Sequence, residues 1–303
     1  MRAVSDNGET ILVRQGWKYY VYDSDGVLLC EKRGDEGLGY YLSPEGNYLI
    51  PQIEDWGGAF TIYRKDGSSL WESPPLGFDK GYFLTRFLTE NEALVFNTIF
   101  DSEGKISHHK LMMVKFPSLE VKWEYSINTP VWVINFNRYS TSFGSNFVIF
   151  TARGWSLIRK DPTYILSFTR DGELVWKRED ITFVDRIKLT PDEKHVLVHG
   201  GGEDIYVLDN KTGETLLKHE MRVPFYSFET FLLFDRKIVL SGYDEGNYFI
   251  SLDENWDIIK EERGKGRVYG FYSPRERKVI LLEKVFKNGS DFLRVRKVRG
   301  GER

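Results

Sequence analysis

One phrase recurs along this chain and limits what it can fold into. Tyr22-Asp23-Ser24-Asp25-Gly26-Val27-Leu28-Leu29-Cys30, Tyr63-Arg64-Lys65-Asp66-Gly67-Ser68-Ser69-Leu70-Trp71 and Phe168-Thr169-Arg170-Asp171-Gly172-Glu173-Leu174-Val175-Trp176 each join an aromatic-rich run to a short run with a bulky residue at a fixed offset. The Asp-Gly pair supplies the positive φ that a tight turn needs, so each phrase predicts a β-hairpin. A unit that recurs in this way means equivalent modules stacked in series. The repeat speaks of architecture, and no motif in the chain speaks as clearly of a reaction.

A second phrase precedes each hairpin and predicts a different turn. It reads Ser5-Asp6-Asn7-Gly8, Ser43-Pro44-Glu45-Gly46, Thr89-Glu90-Asn91-Glu92, Thr190-Pro191-Asp192-Glu193 and Ser273-Pro274-Arg275-Glu276, with weaker versions near Tyr139 to Ser145 and at Phe234-Asp235-Arg236. Strand-length apolar runs come next: Thr10 to Val13, Tyr48 to Ile53, Ala93 to Phe96, Phe147 to Phe150, His195 to His199, Ile238 to Leu240 and Lys278 to Leu282. The units fall at 1–33, 39–73, 80–127, 130–180, 183–221, 225–263 and 267–303. Several short strands per unit, without i, i+3, i+4 apolar stripes, exclude a helical solenoid and match the blades of a β-propeller. The expectation is an all-β, single-domain, seven-bladed β-propeller over residues 1–303, with six or eight blades as alternatives; a β-sandwich fits seven similar units less well. With strands labelled a to d in order within a unit, the Ser-Pro-Glu-Gly turn joins a to b and the Asp-Gly turn joins c to d.

The bulky offset then lies on strand d, where it would pack between neighbouring blades: Cys30, Trp71, Trp123, Trp176, Leu217 and Ile259. The last unit departs from the pattern, because after strand c only Gly300-Gly301-Glu302-Arg303 remains, so a three-stranded final blade is expected. Val207-Leu208-Asp209-Asn210-Lys211-Thr212-Gly213-Glu214-Thr215-Leu216-Leu217 resembles the tryptophan-docking repeat of quinoprotein-type (PQQ-like) propellers, Ala-x-Asp-x-x-Thr-Gly-x-x-x-Trp, with Val207 in place of Ala and Leu217 in place of Trp. Ser43-Pro44-Glu45-Gly46-Asn47-Tyr48-Leu49 is similar to the Ser-Pro-Asp-Gly-Lys-Tyr-Leu phrase of WD-repeat and related propellers. The resemblance implies the propeller architecture and little about function, since these superfamilies include enzymes, assembly factors and scaffolds. It lies in blade packing and touches no cofactor-contacting residue, so no cofactor, PQQ included, is expected.

Composition narrows the setting. No run of 18 apolar residues predicts a membrane span, and Met1-Arg2-Ala3-Val4-Ser5-Asp6 goes straight into a turn without an apolar signal core, so cytoplasmic residence is the default expectation. Cys30, the one cysteine, reads as a small core hydrophobe. Charged residues make up 29% and glutamine occurs only at Gln15 and Gln52, a thermophile-like bias. From Lys260 onward 14 Lys plus Arg stand against 6 Asp plus Glu, although the whole chain carries a net charge of -3. The basic end suggests an anionic partner or an internal match; a solvated strand is the simpler reading, because Phe292-Leu293-Arg294-Val295-Arg296-Lys297-Val298-Arg299 alternates. Nucleic-acid binding through it is a third reading, against which the overall acidity argues.

Binding residues concentrate on loops held by rigid elements. The b-to-c loops carry Arg14-Gln15-Gly16-Trp17, Glu54-Asp55-Trp56-Gly57-Gly58, Ala152-Arg153-Gly154-Trp155 and Gly242-Tyr243-Asp244-Glu245-Gly246. Trp and Arg dominate interaction hot spots, so Trp17, Trp56, Trp155 and Tyr243, with Arg14, Arg153, Asp55 and Asp244 as polar anchors, form a candidate surface for a protein partner or small ligand. The competing reading is that each Trp covers its own blade's edge. Enzymatic signals are weaker. His195 and His199 share a strand face about 13 Å apart, too far for zinc bonds of about 2 Å; His108-His109 read as part of a solvated insertion. The pairs Glu54-Asp55, Glu203-Asp204 and Asp244-Glu245 keep a hydrolase or lactonase-type enzyme as the alternative function, with acid/base carboxylates. No catalytic residue is assigned, and no metal site.

Overall fold

The computed structural model describes residues 2–5, 8–33, 39–52, 61–72, 83–118, 120–128, 133–134, 141–154, 163–184, 186–200, 204–221, 228–234, 236–242, 247–264, 267–273, 278–287 and 290–299. All regular structure among them is β. They fall into two compact units, Met1–Trp132 and Val133–Arg303. The first unit holds three sheets: β1 (Arg2–Val4), β2 (Thr10–Gln15), β3 (Lys18–Asp23) and β4 (Leu28–Arg33); β5 (Gly39–Leu42), β6 (Tyr48–Gln52), β7 (Thr61–Arg64) and β8 (Ser69–Glu72); and β9 (Phe83–Thr89), β10 (Glu92–Phe100), β11 (Ile106–Lys115) and β12 (Val121–Ile127).

The second unit holds four. The fourth sheet has β13 (Val133–Ile134) and β14 (Thr141–Phe143), which line different parts of β15 (Phe147–Gly154), then β16 (Thr163–Thr169) and β17 (Leu174–Arg178). The fifth is β18 (Arg186–Leu189), β19 (His195–Gly200), β20 (Asp204–Asp209) and β21 (Thr215–Glu220), and the sixth β22 (Phe228–Phe234), β23 (Lys237–Gly242), β24 (Asn247–Leu252) and β25 (Ile258–Gly264). Six sheets therefore have all four strand positions filled. The last, β26 (Arg267–Ser273), β27 (Lys278–Lys287) and β28 (Ser290–Arg299), has three among the described residues. Every sheet is an antiparallel meander in chain order, as successive hairpins dictate.

The apolar runs behave as strands because both faces of the inner strands are covered. In the fifth sheet Val196, Val198, Tyr206 and Leu208 join Ile149, Ile165 and Trp176 of the fourth. The alternate residues Leu197, Ile205 and Val207 join Phe231, Leu240 and Ile250 of the sixth. Period-two alternation with two apolar faces gives a continuous hydrophobic run, which is why His195 to Gly200 looks so unlike a surface strand. In the first unit Leu12, Tyr19 and Val21 pack on Tyr40 and Leu49, and Ile62 packs on Phe87, Val95 and Met112.

The pairing of the third and fourth strands shifts register at the same place in six sheets, at Val21/Tyr22, Ile62/Tyr63, Met113/Val114, Ser167/Phe168, Val207/Leu208 and Ser251/Leu252. Each shift is a β-bulge, one extra residue that re-aims the side chains beyond it. It puts Cys30, Trp71, Trp123, Trp176 and Leu217 opposite the inner-strand partner, as expected. In the sixth sheet that position, opposite Ser251, belongs to Lys260; Ile259 is the extra residue of the bulge and is 68% exposed. The docking position expected at Ile259 is thus one residue out of register, which on a strand means the opposite face.

Among the described residues, docking at this position is laid out in full between the fourth and fifth sheets. The Trp176 side chain is buried, and its indole N–H donates to the Asn210 carbonyl at 2.7 Å. Its ring lies over Gly213, where an added Cβ would come within 2.8 Å of the ring, so the Thr-Gly pair of the motif leaves the room that the indole fills. The Asn210 amide bridges the same joint: its NH2 donates to the Glu193 carbonyl at 2.9 Å and its oxygen accepts from Ser167 Oγ at 3.2 Å. Cys30 packs against Gly67 in the same way between the first and second sheets, where burial raises its thiol pKa.

A carboxylate ties the turns of the first and second strands from sheet to sheet. Glu90 accepts from Ser43 Oγ and the Glu45 amide, each at 2.9 Å. Glu193 accepts from the Ser145 amide at 2.6 Å, Ser145 Oγ at 2.7 Å and the Asn146 amide at 2.9 Å. Glu193 occupies the left-handed position, φ 57°, that Gly8 and Gly46 fill in the corresponding turns. That backbone costs a non-glycine residue about 1–2 kcal/mol, which hydrogen bonds to a charged acceptor, worth about 1.5–3 kcal/mol each, offset.

Trp176→Ala is expected to lower unfolding free energy by about 3–5 kcal/mol and Trp176→Phe, which keeps the ring and loses the N–H bond, by about 1 kcal/mol, read by urea denaturation. Glu193→Gly should destabilise despite relieving the backbone. Gly144→Ala, whose new Cβ would lie 2.3 Å from the Glu193 carboxyl carbon, should expel the same carboxylate, so a double-mutant cycle should show the two costs overlapping instead of adding.

Candidate interaction site

The hairpin between β2 and β3 is as short as a hairpin can usefully be. Gln15 pairs with Lys18, leaving Gly16 and Trp17 as the loop. Gly16 has φ 60° at the first of the two central positions, the arrangement of a type II′ turn. Arg14 Nε donates to the Gly16 carbonyl at 3.0 Å, and its guanidinium carbon lies 5.6 Å from the ring centres of both Trp17 and Tyr19. Tyr19 is buried and makes an edge contact of 4.9 Å with Tyr40 of the second sheet. Trp17 stays 46% exposed. The flanking Lys18 donates to Glu31 at 2.6 Å, and this bond raises the lysine pKa. A core tyrosine thus supports a guanidinium, which a backbone carbonyl orients beside an exposed indole.

Of the other candidates, Arg153 lies in β15, paired with Ile134 and Thr163. Asp55, Trp56, Trp155, Tyr243 and Asp244 fall outside the described residues. Among the paired carboxylates Asp204 is described: it accepts from the Tyr206 hydroxyl at 2.9 Å and pairs with Lys218 at 3.1 Å. Among the described residues no group of three or more His, Cys, Asp or Glu is placed to hold a metal ion.

The histidines take different places from those their neighbours in sequence suggest. The extra length of the third unit goes into the long strands β10 and β11, joined by a turn in which Asp101 Oδ1 accepts from the Glu103 and Lys105 amides at 2.9 Å. His109 is therefore a buried strand residue, stacked on Phe96 and 3.0 Å from Thr98 Oγ1, not part of a solvated loop. His195 and His199 both face the sixth sheet, His195 against Trp256 at 4.6 Å and His199 against Phe231 at 6.4 Å. Trp256 also receives the Arg236 guanidinium at 4.1 Å; both residues adopt left-handed backbone, and Trp256 does so at the turn position that Gly26, Gly67 and Gly172 fill in other sheets. Sequence reading assigned no role to Glu193, Arg236 or Trp256; the signal available was the missing glycine at the Glu193 and Trp256 turns.

No protein-family model matches the chain and no curated protein does. Solved structures do. BamB from Moraxella catarrhalis aligns over 94% of this chain and 81% of its own at 11% identity, with a TM-score of 0.60. The Dos1 propeller aligns over 92% and 74% at 12% identity, TM-score 0.60, and a eukaryotic initiation factor over 97% and 74% at 11% identity, TM-score 0.59. The fold is a β-propeller. At these identities the likeness concerns the fold alone. Among the described residues no helix is long and apolar enough to cross a membrane.

His195 carries a pH dependence. Burial lowers its pKa from 6.5, Arg236 and Lys194 lower it further, and Asp192 and Asp209 oppose them. The unfolded chain therefore takes up this proton first as pH falls, so the His195 contribution is intact above about pH 6.5 and is lost as pH drops toward the folded value. Unfolding free energy measured from pH 7.5 to 5 should fall less steeply in His195→Asn than in the natural chain.

Proposed function

We propose that this chain is a non-catalytic platform, one propeller domain that captures a protein partner or small ligand at the sheet end where second and third strands meet. The observation that carries the reading is the Arg14–Trp17 pair. A large indole left half in solvent is a poor use of apolar surface for stability, and a good one for recognition when its neighbours are fixed. The two-residue turn, the Arg14–Gly16 hydrogen bond and the buried Tyr19 fix them, so little side-chain freedom remains to be lost on binding. Of the other residues in the expected set, Arg153 belongs to β15 and Trp56, Trp155, Tyr243, Asp55 and Asp244 fall outside the described residues, so the proposal rests on the Arg14–Trp17 hairpin. Cytoplasmic residence belongs to the same proposal.

Trp17→Ala removes exposed surface and should leave the urea midpoint within error of the natural chain. Capture of binders from lysate, quantified by mass spectrometry, should drop at least tenfold. Undiminished capture by a folded Trp17→Ala chain would overturn the proposal.

A further inference from the structure

The seventh sheet ends differently from the other six. β28 pairs with β27 over ten positions, from Lys278↔Arg299 to Lys287↔Ser290, without a register shift. Among the described residues no strand pairs with its other edge, whereas every other sheet places a fourth strand there. Ten residues of extended backbone present an edge of about 33 Å, a row of amide and carbonyl groups able to template another strand. The residues along it are Ser290, Asp291, Phe292, Leu293, Arg294, Val295, Arg296, Lys297, Val298 and Arg299. Four cations stand against one carboxylate.

We propose that the outer edge of β28 is a docking site for an acidic, extended segment of a partner protein, which adds as the fourth strand of this sheet. Strand addition supplies main-chain hydrogen bonds for affinity, and the side chains set specificity. Charge selects the occupant. Pairing β28 antiparallel with a second copy of itself across this edge sets Arg294 against Arg296, Arg294 against itself or Arg296 against itself in the central registers, and like charges directly opposite are destabilising. The same basic strand that repels its own copy attracts glutamates or aspartates at alternate positions of a guest. The site is separate from the Arg14–Trp17 hairpin and stands whether or not that hairpin binds anything.

The probe is a fluorescein-labelled octapeptide alternating Val and Glu, titrated into the full chain by fluorescence anisotropy. Saturable binding is expected. Methylating alternate backbone nitrogens of the peptide, which leaves its charge unchanged and removes one hydrogen-bonding edge, should weaken it at least tenfold. The Arg294→Glu/Arg296→Glu variant, checked for folding by circular dichroism, should weaken it by a similar factor, and β28 amides should gain exchange protection in the complex. Equal affinity for the methylated peptide would reduce the site to surface electrostatics and overturn the proposal. So would β28 amides as protected in the free chain as those of β27, which would mean the chain covers its own edge. A dimeric free chain by sedimentation whose dissociation accompanies the two substitutions would assign the edge to a second copy, and tenfold tighter binding of a dT15 oligonucleotide would assign it to nucleic acid; either result overturns the proposal.

Discussion

A buried asparagine with each of its polar groups engaged holds the fourth and fifth sheets in register. Asn210 is buried between the fourth and fifth sheets, and its amide NH2, amide oxygen, backbone N–H and backbone carbonyl are all engaged, with Glu193, Ser167, Lys194 and Trp176. A buried amide with one partner missing would cost about 1–3 kcal/mol, so the network fixes the relative position of two sheets instead of merely holding them close. The Trp176 indole can dock because Asn210 presents its carbonyl and Gly213 presents no side chain. Face-to-face packing of two apolar sheets is by itself non-directional; the polar joint gives it one registration.

Two kinds of link run in opposite chain directions. Cys30 and Trp176 reach forward from one sheet to the turn of the next. Glu90, Glu193 and Trp256 reach back from a turn to the preceding sheet. The backward reach of Glu193 and Trp256 starts from left-handed backbone, at φ 57° and 70°. A side chain leaving the turn from that geometry is aimed where a right-handed residue would not send it. Strain at these turns is thus coupled to contact between sheets, and the glycine that would relax it would also remove the contact.

Much of this was legible in the residues. Period-two alternation and the Asp-Gly turns located the second strands and the hairpins, because both arise from local backbone rules. The docking role of Trp176 was readable from its constant offset. The features that stayed hidden are ones that local rules do not count. The bulge in the sixth sheet moved the docking position from Ile259 to Lys260, since a single extra residue inverts a strand's faces without altering its hydrophobicity. His109 lies inside because the third sheet spends its added residues on longer strands, a choice that packing makes. Of the candidate site, Arg14 and Trp17 were legible as a Gly-flanked pair, but the support of Tyr19 from beneath depends on the pairing of β2 with β3.

The register bulges divide the two ends of each sheet by the changes they tolerate. At one end, the distance from the close of the third strand to the docking residue has to be kept, because one residue more or less would turn Trp176 away from Gly213. At the other end, a two-residue loop serves the first sheet and the longer Asp101–Lys105 turn serves the third, on strands of different length. Among the described residues nothing in the joints counts residues there. Chain length and composition can drift at that end without disturbing the stacking of neighbouring sheets, so each sheet holds one end to a strict meter and leaves its other end open to variation.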